Sequence, residues 1–164
     1  MGGKLIIREI RADDALRVKR LIDEVFNRHD KTNAKDDIRF HFKCQEFRIS
    51  NGDLYWLAEI NDRIVGITGL TQTTKGVFWL AWLGVKKRMQ GQGIGKQLLK
   101  YAIREAKKRN AKKFCIRCGS LPMFSKANSL YKKCGFEEQF RIRDYWARGD
   151  DLIVVSQAID KILI

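Results

Sequence analysis

Apolar and polar positions divide this chain into short, regular stretches. Leu5–Ile10 alternates enough to predict a first strand. Apolar residues then recur at 15, 18, 21, 22, 25 and 26, the spacing of one helix face, through Phe26. The acidic start at Ala12-Asp13-Asp14 suits the positive end of that helix's dipole. Residues 27–33, NRHDKTN, carry no apolar pattern and read as a polar loop. A second helix is expected over 35–48, although Ile38, Phe40, Phe42, Cys44 and Phe47 are not cleanly spaced for one.

From Asn51-Gly52 onward the period shortens to that of strands. Leu54–Ile60, Ile64–Thr71 and Val77–Val85 read as a three-stranded meander, turning at Asn61-Asp62-Arg63 and at Lys75-Gly76. Gly93–Arg109 returns to helical spacing, with Ile94, Leu98, Leu99, Ala102 and Ala106 on its core stripe. Lys113–Cys118 predicts a strand and Ser125–Lys133 a shorter helix behind Pro122, the lone proline. Gly135–Arg148 and Leu152–Ile159 close the chain as a strand pair turning at Arg148-Gly149-Asp150. The strand–helix–strand unit Val77–Cys118 makes its two strands parallel neighbours. The expectation is one domain over residues 1–164, of α/β (α+β) class. Its sheet is mixed and mostly antiparallel, of about seven strands flanked by about four helices.

Composition narrows this picture without redirecting it. Hydrophobic residues make up 45% of the chain, with nine Phe and four Trp, which excludes a disordered segment. No apolar run reaches membrane-spanning length. The start, MGGKLIIREI, has neither a long apolar h-region nor a small-residue cleavage site, and Ile6 stands where myristoylation of Gly2 needs Ser or Thr. A cytoplasmic protein without a membrane partner is expected, as monomer or homodimer. Of the four cysteines, Cys115-x-x-Cys118 invites a metal or redox reading. A second ligand pair is missing, and His29 and His41 are remote. On a strand the odd offset also points the two thiols to opposite faces. No metal site is expected, and the thiols are expected reduced.

Charge changes the picture more. The net charge is +14, and Lys86–Lys113 alone holds eleven basic residues against one acid, Glu105. A polyanion is therefore the expected ligand of this segment, although Lys100, Arg104, Lys107 and Lys108 can equally form a solvated helix face. At its centre lies Gln90-Gly91-Gln92-Gly93-Ile94-Gly95-Lys96, opening the long helix. A glycine-rich turn there leaves backbone N–H groups unpaired and aligned with the helix dipole, a phosphate-binding arrangement. A nucleotide P-loop is excluded, because Gln90 and Gln97 replace its first glycine and its hydroxyl. A dinucleotide fingerprint is excluded as well, since Lys96 or Leu98 replaces its third glycine and NAKKF lacks the later acid.

The spacing met by Gln90, Gly93 and Gly95, Gln/Arg-x-x-Gly-x-Gly, resembles the pyrophosphate loop of the GCN5-related N-acetyltransferases, the GNAT superfamily. Asn128-Ser-Leu-Tyr131-Lys-Lys-Cys-Gly135-Phe136 resembles that family's helix tyrosine followed by a Gly-Phe strand start. The resemblance implies the GNAT fold, splayed between the fourth and fifth strands. It also implies transfer of an acetyl group from acetyl-CoA to a primary amine of a small molecule, an amino acid, or a protein N-terminus or lysine. The implied cofactor-binding residues are Leu83, Gly84 and Val85 through their backbone, Gln90, Gly91, Gln92, Gly93, Ile94, Gly95 and Lys96, and Asn128 and Tyr131. Tyr131 is the implied general acid for the departing thiolate.

Two positions depart from the family pattern. Phe124 stands where many members carry an Asn, and Asn128 is the substitute on the same face. The strand VFWLAWLGV has no carboxylate where many members place a general base, which leaves Asp144, Glu59, water or a deprotonated acceptor. Trp79 and Trp82 can wall an acceptor pocket or pack the core, and Trp56, Tyr145 and Trp146 share that ambiguity. The alternative function is a nucleic-acid- or ribosome-associated module of the same fold without catalysis, although no aromatics interleave with the basic residues as in an RNA-stacking sheet.

Overall fold

The computed structural model describes residues 3–163, the side chain of His29 excepted. Gly2, and His29 as a ligand, therefore lie outside the described residues. Seven strands form one sheet in the order β1-β2-β3-β4-β5-β7-β6. They are β1 (Leu5–Glu9), β2 (Asp53–Ile60), β3 (Arg63–Thr74), β4 (Val77–Val85), β5 (Lys113–Gly119), β6 (Glu137–Ala147) and β7 (Asp150–Ala158). The helices are α1 (Ala15–Val25), α2 (Arg28–Glu46), α3 (Ile94–Lys108) and α4 (Ser125–Lys133). β4 and β5 run parallel, while β1–β2, β2–β3, β5–β7 and β7–β6 are antiparallel. The parallel ladder covers Val77–Trp79 against Lys113–Cys115 and stops, although β5 continues beside β7 to Gly119. This is the expected mixed sheet, splayed after the fourth strand.

The chain divides into two compact units: residues up to Thr71 with Ala81–Ala102, and Gln72–Leu80 with residues from Ile103 on. In the first unit, Leu57 and Ala58 point to opposite faces of β2 by strand alternation. Leu57, with Tyr55 and Ile67, belongs to the core that Val18, Leu21, Ile22 and Ile38 of α1 and α2 complete. Ala58 joins Val65 and Val85 against Ile94 and Leu98 of α3. Ala15, expected on the α1 stripe, is exposed.

The loop expected at 27–33 is not a loop. α2 starts at Arg28, because the Asn27 side chain caps it by accepting the Asp30 N–H at 2.8 Å. A capped end satisfies an otherwise orphaned donor and lets a polar first turn form. His41, within this helix, is buried edge-on to Tyr55. Burial holds its pKa below the ordinary value.

A buried ion network closes the start of α1. Asp14 is 2% exposed and takes both Arg8 guanidinium nitrogens, at 2.7 and 2.8 Å. It also accepts the Arg11 N–H at 2.9 Å. Arg8 reaches on to Glu59 at 2.8 Å, and Arg17 contacts both acids. Asp14→Asn leaves Arg8 with half its partners and is expected to cost about 3 kcal/mol of stability in urea unfolding near pH 7. The Arg8 hydrogen bonds hold the Asp14 carboxyl below its ordinary pKa. Its contribution is thus complete above the unfolded-state value near 4 and is lost as pH falls below it. The variant's deficit should shrink correspondingly in acid.

In the second unit, β5 pairs with β7 along its whole length, Lys113 opposite Ala158 through Gly119 opposite Leu152. Phe114, Phe136 and Tyr131 form a chain of edge-on ring contacts. Every residue of β6 is exposed, and its ladder with β7 slips after Glu138 and after Ile142. Glu105, the one acid among the basic run, is buried and takes Lys108 and Arg109 at 2.6 and 2.7 Å, closing α3.

Candidate active site

The first unit holds the glycine loop. Beyond β4, the Lys86 N–H donates to Val65 O at 2.9 Å, and Lys87–Met89 makes one tight turn. Gln90 then folds back, its side-chain amide donating to Val85 O at 3.1 Å. Gln90 therefore braces the loop against the strand end, a role its place in the motif does not reveal. Gly91 and Gly93 follow with φ of +82° and +78°, where L-residues are strained. An added Cβ at either would meet nothing within 4 Å, so both face open space. The first hydrogen bond of the helix start is Gln97 N–H to Gly93 O, 3.0 Å. The N–H groups of Gly91–Lys96 have no acceptor among the described residues. Successive free N–H groups in left-handed turns at a helix start form an anion nest.

Around the nest, Lys87, Arg88 and Lys96 are exposed, and none has an ion-pair partner among the described residues. Lys86 is instead paired with Glu24 at 3.0 Å. Ile94 is 3% exposed and anchors the helix start in the core, while Gly95 approaches Val85. Gln92 is exposed. Leu83 and Val85 side chains pack with Ala58 and Leu98, and Gly84 is buried against Val25 and Phe26. Only the main chain of these three can serve a ligand.

The second unit holds Tyr131 and Asn128. Asn128 donates its amide to Gly119 O at 2.9 Å, which leaves its buried Oδ1 without a partner. Phe124, which stands where the family pattern has an Asn, lies over Gly119. Tyr131 is buried, and its hydroxyl has no hydrogen-bond partner among the described residues. Desolvation, with Cys118 alongside, pushes its phenol above the ordinary range. Tyr131, Asn128, Cys118, Glu138 and Arg141 line a groove of about 620 Å³. Cys115 is buried and Cys118 half-buried, both as free thiols, as are Cys44 and Cys134. Burial raises both Cys115 and Cys118, the latter to about 11, so neither is a thiolate at neutral pH. No group of three or more His, Cys, Asp or Glu among the described residues is arranged to hold a metal.

The two carboxylates weighed as bases are engaged elsewhere. Glu59 is bound by Arg8 and Arg17, and the Arg8 hydrogen bonds hold it below the ordinary carboxylate range. Asp144, at φ +51°, accepts the Gly149 N–H and pins the β6–β7 hairpin. Trp82 packs edge-on to Phe26 and donates to Asp37 at 3.0 Å, so it belongs to the core. Trp56 is buried against Tyr101. Tyr145 and Trp146 contact one another at the exposed hairpin. Trp79 differs: its indole donates to Thr73 Oγ1 at 3.0 Å, and the Arg117 guanidinium lies over its ring.

The fold matches a crystal structure assigned to the GNAT acetyltransferases from Desulfovibrio desulfuricans, with a TM-score of 0.83 and 19% identity, covering 95% of this chain and 99% of that one. Residues 51–138 match the family described as "Acetyltransferase (GNAT) domain". This chain belongs to the GNAT acetyltransferase family. It is an acetyl-transferring enzyme, of general N-acetyltransferase type. A relative named "Uncharacterized N-acetyltransferase YvbK", from Bacillus subtilis (strain 168), is 33% identical over 111 residues, 68% of this GNAT chain and 70% of the relative. A GNAT family acetyltransferase from Elizabethkingia anophelis, solved with acetyl-CoA bound, shares the fold with a TM-score of 0.71 and 22% identity, covering 94% and 97% of the two chains. No helix among the described residues is long and apolar enough to cross a membrane.

Proposed function

We propose that residues 1–164 act as one GNAT domain that acetylates a primary amine with acetyl-CoA, by direct attack within a ternary complex. The carrying observation is the row of unpaired N–H groups from Gly91 to Lys96, in a positive-φ nest at the start of α3. These residues fit a diphosphate: a concave row of donors, a helix dipole behind it, and the exposed cations Lys87, Arg88 and Lys96 around it. When bound, acetyl-CoA supplies an activated acetyl thioester.

The chain's own residues then hold and move charge. The nest and the main chain of Leu83–Val85 hold the ligand. Tyr131, protonated because burial raises its pKa, gives a proton to the departing thiolate. Asn128 Oδ1, buried and unpaired, accepts a hydrogen bond from the pantetheine arm. The amine's proton goes to water, since β4 offers no carboxylate and Glu59 and Asp144 are held in ion pairs and turns. Free thiols throughout support a reducing, cytoplasmic location.

The test is release of free thiol from acetyl-CoA with a panel of amines, amino acids and peptides, with mass spectrometry of the products. Acetylated amine with stoichiometric thiol supports the proposal. Thermal stabilisation by mixed RNA at low salt, with none by acetyl-CoA, supports the nucleic-acid module instead.

A further inference from the structure

In the second unit, one arginine is oriented without a counter-ion. Trp79 and Cys115 form the last pair of the β4–β5 ladder. Arg117 lies two residues further along β5, on the same face as Cys115, opposite Val154 of β7. Its guanidinium carbon sits 5.3 Å from the centre of the Trp79 ring. The ring is itself pinned by the indole bond to Thr73.

Arg109 is spent on Glu105, and Arg141 on Glu138 and Asp151. Arg117 has no carboxylate within ion-pair distance among the described residues, and it is exposed. Stacking on an indole fixes the plane of a guanidinium and strips water from one face, while its N–H edge stays free. Such an edge is shaped for two parallel hydrogen bonds to a carboxylate.

Strand alternation also sets direction. Arg117 projects from the face of β5 opposite Cys118, and Cys118 lines the groove that holds Tyr131. If Tyr131 serves the departing thiol on one face, the other face is left for the amine. A chain of net charge +14 also disfavours polycationic acceptors.

Resting on the acetyltransferase reading, we propose that Arg117, stacked on Trp79, anchors a carboxylate of the acceptor. The acceptor class is then amino acids and other amines that carry a carboxylate. Neither residue has been assigned a role in holding the acetyl donor.

The experiment compares neutral L-amino acids with their carboxamides as acceptors, in wild type, Arg117→Gln and Arg117→Lys. The amine of a carboxamide is less basic and more often free of its proton, so preference for the acid cannot come from basicity. Wild type should favour the acids by about ten- to a hundredfold in kcat/KM, the worth of a charged hydrogen-bonded pair. Arg117→Gln should erase that preference through KM with kcat held, and Arg117→Lys should keep part of it. Equal use of both series by wild type, no acetylation of any acid, or an equal loss for both series in Arg117→Gln would overturn the proposal. Titration calorimetry with acetyl-CoA on the same samples separates the two levels. Absence of heat in wild type removes the acetyltransferase reading itself, whereas unchanged heat without acid preference removes the anchor alone.

Discussion

Gly93→Val should abolish measurable acetyl-CoA binding while the protein stays folded. Gly93 sits at φ +78°, and a β-branched residue there is a genuine outlier. The chain must either hold valine in the left-handed region, at about 1–3 kcal/mol, or turn the peptide away. Turning away re-aims the N–H groups on either side, which are two of the donors in the row. Holding the conformation puts three extra carbons into the open space that Gly93 faces, where the diphosphate is proposed to lie. Both routes weaken binding by more than about a hundredfold, the loss of two charge-assisted hydrogen bonds. The cost to the fold is only the local strain, so the melting temperature should drop by about 2–10 °C. Calorimetry beside thermal melting reads both quantities. A variant that binds acetyl-CoA like wild type would place the ligand elsewhere.

Tyr131→Phe should lower kcat by about a hundredfold or more, with acetyl-CoA affinity unchanged. Phenylalanine keeps the edge-on contact with Phe136 and removes only the hydroxyl, which has no partner among the described residues. Stability should therefore hold, because the ring contact is kept and no hydrogen bond is lost. The pH profile carries a second check. Burial raises the phenol pKa, so the proton-donating form persists past the ordinary value near 10. Wild-type kcat should show no alkaline fall caused by Tyr131 below that pH. Steady-state kinetics of both proteins from pH 6 to 10 test this, and an unchanged kcat in the variant would dismiss the proton-donor role.

The legibility of the fold in the sequence followed local chemistry. Val77–Val85 and Ser125–Lys133 are strand and helix over the expected residues, because strong periodicity is bounded there by glycine or proline. The start of α2 was hidden, since NRHDKTN has no apolar rhythm, yet Asn27 followed by Asp30 three residues on was a readable cap. The strand expected over Gly135–Arg148 is shorter, Glu137–Ala147. Gly135 ends α4, and the positive φ of Asp144 interrupts β6, a feature only the hairpin's hydrogen bonds explain.

The site was legible where the backbone does the work. Three glycines at alternate positions before a helix imply free N–H groups whatever surrounds them. It was illegible where side chains find distant partners. The brace from Gln90 to Val85, the pairing of Glu59 with Arg8, and the stack of Arg117 on Trp79 all depend on strand register. Composition and periodicity do not encode register until the sheet is known.

Acetyl-CoA titrated into ¹⁵N-labelled protein, with the amide signals of Gly91–Lys96 assigned, interrogates the donor row itself. Those amide protons should move downfield together and saturate at one ligand per chain. Saturating acetyl-CoA that leaves these six signals in place would contradict the diphosphate nest, whatever other resonances shift.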